Sequence, residues 1–209
     1  MTALAQAVTH RRAAARSTVA TDVMLVVAGS LVMAALAQVS IKLPFTPVPV
    51  TGQTLGVLLV GGSLGALLGG AAMLLYLAEG AIGLPFFAGG EAGLDRLGFA
   101  SASGGYLWGF VIAAVLIGYL AEKRWDRGVG SAIGAFLLGE IIIFTIGVFW
   151  LANALGISVQ ASGACDLATG ADCDALQLGL YPFVIGDLLK VLLAAGAFPL
   201  LWRLLKRDR

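Results

Sequence analysis

The sequence predicts an all-α integral membrane protein with six transmembrane helices and both termini in the cytoplasm. Three observations predict it. The chain is 59% hydrophobic and 12% charged, where an average soluble domain is about 25% charged; its mean hydropathy is +0.96. Apolar runs of membrane-spanning length recur along it. The basic residues fall in connections that an even number of crossings places on one side. The 209 residues make a single membrane domain, with no length left for a second, soluble one.

A hydrocarbon core of about 30 Å needs roughly 20 apolar residues per helix. Residues 1–21 form an N-terminal cytoplasmic tail, and spans are expected at about 22–41, 51–63, 64–84, 104–121, 129–155 and 181–205. The stretch 51–84 is too long for one ordinary span. It reads as two, parted at Gly61-Gly62-Ser63, the alternative being one long segment bent there.

Loop charge agrees with this count. The tail carries Arg11, Arg12 and Arg16, and the connection after the fourth span carries Lys123, Arg124 and Arg127. The C-terminal end carries Arg203, Lys206, Arg207 and Arg209. These are ten of the 13 Lys and Arg residues, and all fall on one side. The positive-inside rule makes that side cytoplasmic. Lys42 and Arg96 lie on the other side, with the 155–180 loop and its Asp166, Asp172 and Asp174. Cys165 and Cys173 share that loop, so a disulfide is possible in an oxidising compartment. A competing reading takes the N-terminal arginines, the apolar run and Ala35-Leu36-Ala37 as a cleaved signal peptide. It would leave five spans and an external N-terminus.

Composition also excludes some functions. A net charge of +1 without a long basic tract speaks against nucleic acid. One histidine, His10, and two cysteines do not suggest a metal or haem site, and no cofactor is expected. No glycine-rich phosphate loop ending in Lys-Ser or Lys-Thr occurs, so nucleotide hydrolysis would have to happen elsewhere.

Small residues recur at spacing four: Gly61, Gly65 and Gly69 beside Gly62, Ala66 and Gly70, and Ser30 with Ala34 in the first span. Such faces let helices approach closely in lipid. They serve either internal packing or, for Ser30 and Ala34, docking of another membrane subunit.

The chemistry points to the last span. Asp187 and Lys190 lie at i and i+3 on one helix face, near its outer end. Each costs about 2.5–3.5 kcal/mol near the bilayer centre on insertion scales. Either the pair satisfies only itself, or it belongs to a recessed pocket open to the outside. Two outer connections are suited to line such a pocket. LPFTPVPVTGQTL at 43–55 is stiffened by three prolines and carries Thr46, Thr51, Gln53 and Thr54. The stretch 84–110 is too long for a plain connector. Lys190 would take a carboxylate and Asp187 an N–H donor. Gln53, Ser101 and Ser103 would add neutral hydrogen bonds, and Tyr106, Trp108, Phe86 and Phe87 apolar walls. The implied ligand is small, partly apolar and acidic. Glu79 lies toward an outer helix end, Glu140 is expected to pair with Thr145 or Gln38, and Asp95 with Arg96 reads as solvated surface.

PFTPVPVTGQTLGVLL, LYLAEGAIGLPFFAGG, SGGYLWGFVIAAVLIGYLAE and the final GDLLK resemble the BioY family, the substrate-binding S components of energy-coupling-factor (ECF) biotin transporters. The resemblance spans about residues 40–195. It implies a six-helix S-component fold in the cell membrane that binds biotin from outside with high affinity. It also implies a transmembrane coupling protein and two ATPase subunits as partners, although some members are thought to work without them. By this resemblance GDLLK places the site at Asp187 and Lys190, and Ser30 and Ala34 meet the coupling partner. The loop before the fourth span contributes too, with SASGGY here where members often have GPTGGY. Three rivals remain: an S component for another small vitamin acid, an intramembrane enzyme using Asp187 as acid or base, and a purely structural membrane subunit.

Overall fold

The computed structural model describes residues 19–160, 165–166 and 173–207. The tail with His10, Arg11, Arg12 and Arg16, the loop residue Asp172, Arg209 and the side chains of Lys206 and Arg207 lie outside the described residues. Helix α1 covers Val19–Gln38, followed by an antiparallel ribbon of β1 (Ser40–Ile41) and β2 (Val50–Thr51). Helix α2 covers Gln53–Ala81, α3 Gly104–Glu122, α4 Val129–Leu155, the short α5 Ala175–Gly179, and α6 Val184–Arg207. Five of these helices are long and apolar enough to cross a membrane. The ribbon, α5 and the one-turn 3₁₀ segments in the loops have no counterpart in the expectations above.

Within 51–84 the structure has one helical element, α2, broken at Gly65 rather than at 61–63. Gly65 has φ 84° and ψ −179°, a region essentially open to glycine alone. In an unbroken helix, residues eight apart stand about 12 Å apart along the axis. Here a Cβ on Gly69 would lie 3.1 Å from the Gly61 Cα, so the two halves fold back on one another. Counting the halves, six helical segments run along the bundle among the described residues. The break is held from α3. Glu122 Oε1 accepts the Ala66 backbone N–H at 2.9 Å, placing a carboxylate at the positive end of the second half. Gly118 lets α3 close on the turn, since a Cβ there would fall 2.3 Å from the Gly65 carbonyl carbon.

The small-residue faces turn inward. Ser30 is 0% and Ala34 6% exposed, which corrects the docking reading for both. A Cβ on neighbouring Gly29 would meet Ala72, Leu64 and Val60 of α2. Small side chains are thus used to seat α1 against α2, and the Ser30 hydroxyl is occupied by its own helix, at Val27 O. The outward face of α1 presents Val23, Met24, Val27 and Leu31.

One end of the bundle is tied by the α3–α4 connection and the end of α6. Asp126 is 2% exposed, accepts from Trp202 Nε1, and has Arg127 stacked over the Trp202 ring at 4.2 Å. Burial pushes the Asp126 carboxyl above its ordinary range, against the opposing pull of Trp202 and Arg127. Lys123, Arg124, Arg127 and Arg203 gather at this end. The ribbon, the 82–103 loop and the Cys165–Cys173 disulfide, with its Cα atoms 4.5 Å apart, lie at the other.

Candidate functional site

A cavity of about 590 Å³ lies at the end opposite the basic cluster. Its floor is built from three elements. Asp187 sits in the first turn of α6, where a carboxylate complements the helix dipole. Lys190 follows one turn later. The ribbon and the start of α2 bring Thr51 and Thr54 across from the opposite side of the chain. Lys190 Nζ donates to Asp187 Oδ1 at 2.6 Å, to Thr51 O at 2.6 Å and to Thr54 Oγ1 at 2.9 Å. Thr54 Oγ1 in turn donates to Asp187 Oδ1 at 2.7 Å. Asp187 is 4% exposed. An ammonium has three protons, so Lys190 has none to spare for a ligand's carboxylate. Among the described residues the side-chain bonds to Asp187 all end on Oδ1, leaving Oδ2 as an acceptor.

The walls are fixed from behind. Gln53 Nε2 donates to Tyr76 Oη at 2.8 Å, and Tyr76 Oη donates to Phe86 O at 3.1 Å. That relay pins the 82–103 loop to α2. Phe87 packs edge-on against Tyr76 with ring centres 5.7 Å apart. It fits because Gly80 has no side chain: a Cβ there would lie 2.3 Å from the Phe87 ring. Trp150 Nε1 donates to Ser101 O at 3.1 Å, and Tyr106 Oη donates to Gly179 O at 2.8 Å. Across the mouth, Thr46 Oγ1 ties the ribbon's tip to Leu178 O at 2.7 Å. The rim carries alternating charge. Arg96 lies 3.0 Å from Glu91 and 3.4 Å from Asp95, and Lys42 lies 3.8 Å from Glu91.

Gln53, Phe87, Ser101, Ser103, Tyr106, Asp187 and Lys190, all singled out from the sequence, line this one cavity. Several have other duties: the Gln53 amide and the Tyr106 hydroxyl are bonded within the protein, so their polar atoms build the wall. Two expected wall residues are absent from the lining. Trp108 is 39% exposed on the outside of α3, its indole N–H donating to Leu97 O. Phe86 contributes its carbonyl rather than its ring. Asp95 and Arg96 are not plain surface; both line the mouth. Thr54 was legible only as one polar residue among several, and Phe144 and Phe183, also in the lining, do not stand out in apolar spans. Glu140 pairs with neither Thr145 nor Gln38: its carboxylate has no hydrogen-bond partner among the described residues. The Gln38 amide instead lies within 3.5 Å of the Pro85, Phe86 and Phe87 carbonyls.

A cavity with apolar walls, a single carboxylate acceptor in its floor and cations at its rim suits a small ligand with N–H donors at one end and an anion at the other. Comparison with known proteins agrees. The sequence model of the BioY family matches residues 6–207. The biotin transporter BioY of Rhizobium etli is 33% identical over 162 residues, 74% of this chain and 78% of that one. The namesake from Rhodobacter capsulatus is 38% identical, over 69% of this chain and 73% of its own. The Thermotoga maritima protein of that name is 37% identical, over 74% and 81%. Among solved structures, the S-component for biotin from an ECF-type ABC transporter superposes with a TM-score of 0.71 at 27% identity, covering 93% of this chain and 96% of that one.

Proposed function

The chain belongs to the BioY family, and from that premise we propose that it is the biotin-capturing component of a vitamin uptake transporter in the cell membrane, with its cavity facing outward. It is a transport component and not an enzyme. The observation that carries the reading is the cavity floor, where Lys190 and Thr54 hold Asp187 in place and leave one carboxylate oxygen unbonded. Biotin's ureido ring offers N–H donors to that oxygen. Its valerate carboxylate then points to the rim, where Arg96 and Lys42 are shared with Glu91 and Asp95. Lys190 acts through Asp187: it neutralises and orients the carboxylate rather than meeting the ligand's anion. Phe87, Tyr106, Phe144 and Phe183 enclose the apolar rings between these ends, and Ser101 and Ser103 add hydroxyls beside them. Transport would join this component to a membrane coupling protein and ATPase subunits, which supply the hydrolysis for which the chain has no motif.

The test is binding of labelled biotin to the purified full-length protein, with Asp187→Asn, Lys190→Met and Arg96→Gln variants. Losing a hydrogen bond to a charged group costs about 1.5–3 kcal/mol, roughly 10- to 100-fold in affinity. Asp187→Asn and Lys190→Met should both lose at least that much. Arg96→Gln should weaken biotin yet leave the binding of biotinamide, which has no anion, nearly unchanged. Unaltered binding in both floor variants removes the site. Equal loss of biotin and biotinamide in Arg96→Gln reverses the proposed orientation. Displacement by another vitamin acid in preference to biotin would reassign the ligand.

A further inference from the structure

A second cavity, also about 590 Å³, opens between α4 and α6. Phe144 and Asp187 line both cavities and form the partition between them. Apart from Asp187, Glu140 and Thr145, its lining is aliphatic and aromatic. Glu140 is 6% exposed, and neither carboxylate oxygen has a hydrogen-bond partner among the described residues. The biotin site described above does not use it.

A carboxyl group in such a place requires a counter-charge or a proton. The charged group that shares this cavity with Glu140 is Asp187 of α6, and Lys190 is bonded to it. Lys190 has all three protons committed elsewhere. The other elements packed on α4 bring no substitute. Helix α3 meets it through Gly109, Ala113 and Ile117, and farther along through Tyr106 at Gly147. The titratable groups of α2, Tyr76 and Glu79, do not line the cavity, and α5 has none. Asp126 and Arg127 lie at the far end of α4, engaged with Trp202. A proton is the compensation left, held in an equilibrium with water that nearby charge shifts.

We propose that Glu140 is a proton-binding site linked to occupancy of the neighbouring cavity, taking up a proton from water as the anionic ligand binds. This rests on the reading of that cavity as the biotin site. A ligand seated on the floor expels water from beside Asp187, and the carboxylate of Asp187 then makes negative charge at Glu140 costlier, because Coulomb coupling is strong where water is excluded. The proton passes from water to a Glu140 Oε atom by way of the partition at Asp187, and no other bond changes. Ligand anion and proton together add no net charge to the membrane-embedded site, which lowers the cost of carrying the ligand across lipid.

The experiment is titration calorimetry of biotin binding to the full-length protein in buffers of different ionisation enthalpy, from neutral to mildly alkaline pH. The native protein should take up a fraction of a proton per ligand. Its affinity should fall as pH rises, by at most about tenfold per pH unit for one linked proton. Glu140→Gln should bind biotin with affinity close to native and show neither effect. Binding heat without proton uptake, or identical uptake in Glu140→Gln, overturns the proposal while leaving the biotin reading intact. No binding heat in either protein overturns the biotin reading instead. Should the variant fail to fold, the native protein is treated with dicyclohexylcarbodiimide, which adds to a protonated carboxyl and rearranges to an N-acylurea. Peptide mass spectrometry should find the adduct at Glu140, decreasing as pH rises. No adduct there, or labelling insensitive to pH, also overturns the proposal.

Discussion

Thr54 links the two charges of the site. Its hydroxyl accepts from Lys190 and donates to Asp187, so one small side chain orders both. Thr54→Val keeps the shape and removes both bonds. We expect biotin affinity to drop about 10- to 100-fold, with Thr54→Ser recovering most of it; equal loss in both variants would assign the effect to packing instead. The two charges themselves were legible, because ionisable residues in an apolar span are costly enough to demand a reason. Thr54 was not, since a hydroxyl in a polar loop costs nothing by itself. Arg96 was misread for a related reason: an adjacent acid and base look like solvated surface until the loop is seen folded over a cavity. Glu140 shows the converse, a charge that stood out in the sequence but whose expected partners lie elsewhere.

The hairpin within α2 is the element that makes the fold possible. It places Gln53 and Thr54 at the cavity, turns at Gly65 near the basic end, and returns to present Tyr76 and Gly80 beneath the 82–103 loop. Gly65→Ala forces a side chain into a backbone region that costs of order 1–3 kcal/mol for other residues. Glu122→Gln removes the charge from the cap on Ala66, at about 0.5–2 kcal/mol. Thermal unfolding in detergent should show both losses. Because the two act on the same turn, the double variant should lose less than their sum; strict additivity would mean that the cap does not hold the break. A glycine run in an over-long span made a turn readable here. Which glycine takes the positive φ depended on contacts from α3, which no local pattern contains.

For the whole molecule, the positive-inside rule predicts the orientation. Lys42 stands exposed at the cavity rim, and Lys123 at the opposite end beside Arg124 and Arg127. Single replacements Lys42→Cys and Lys123→Cys, probed with a membrane-impermeant maleimide, should be labelled differently. Position 42 should react in intact cells and position 123 only after lysis. The reverse pattern would turn the cavity to the cytoplasm and remove outward capture. The native cysteines do not interfere, since Cys165 and Cys173 are bonded to each other.

The sequence by itself determined the membrane class, the helical make-up and the charged pair that the structure places in the cavity floor. Each follows from the cost of placing polar groups in hydrocarbon, a penalty so large that it marks single residues and whole segments alike. Only the tertiary structure decided that Ser30 and Ala34 face inward, that Lys190 is saturated by Thr51, Thr54 and Asp187, and that Arg96 guards the rim. Those outcomes depend on which atoms the fold brings together, as when Lys190 meets Thr51 from 139 residues away. Hydrogen-bond saturation belongs to such meetings and not to any residue alone.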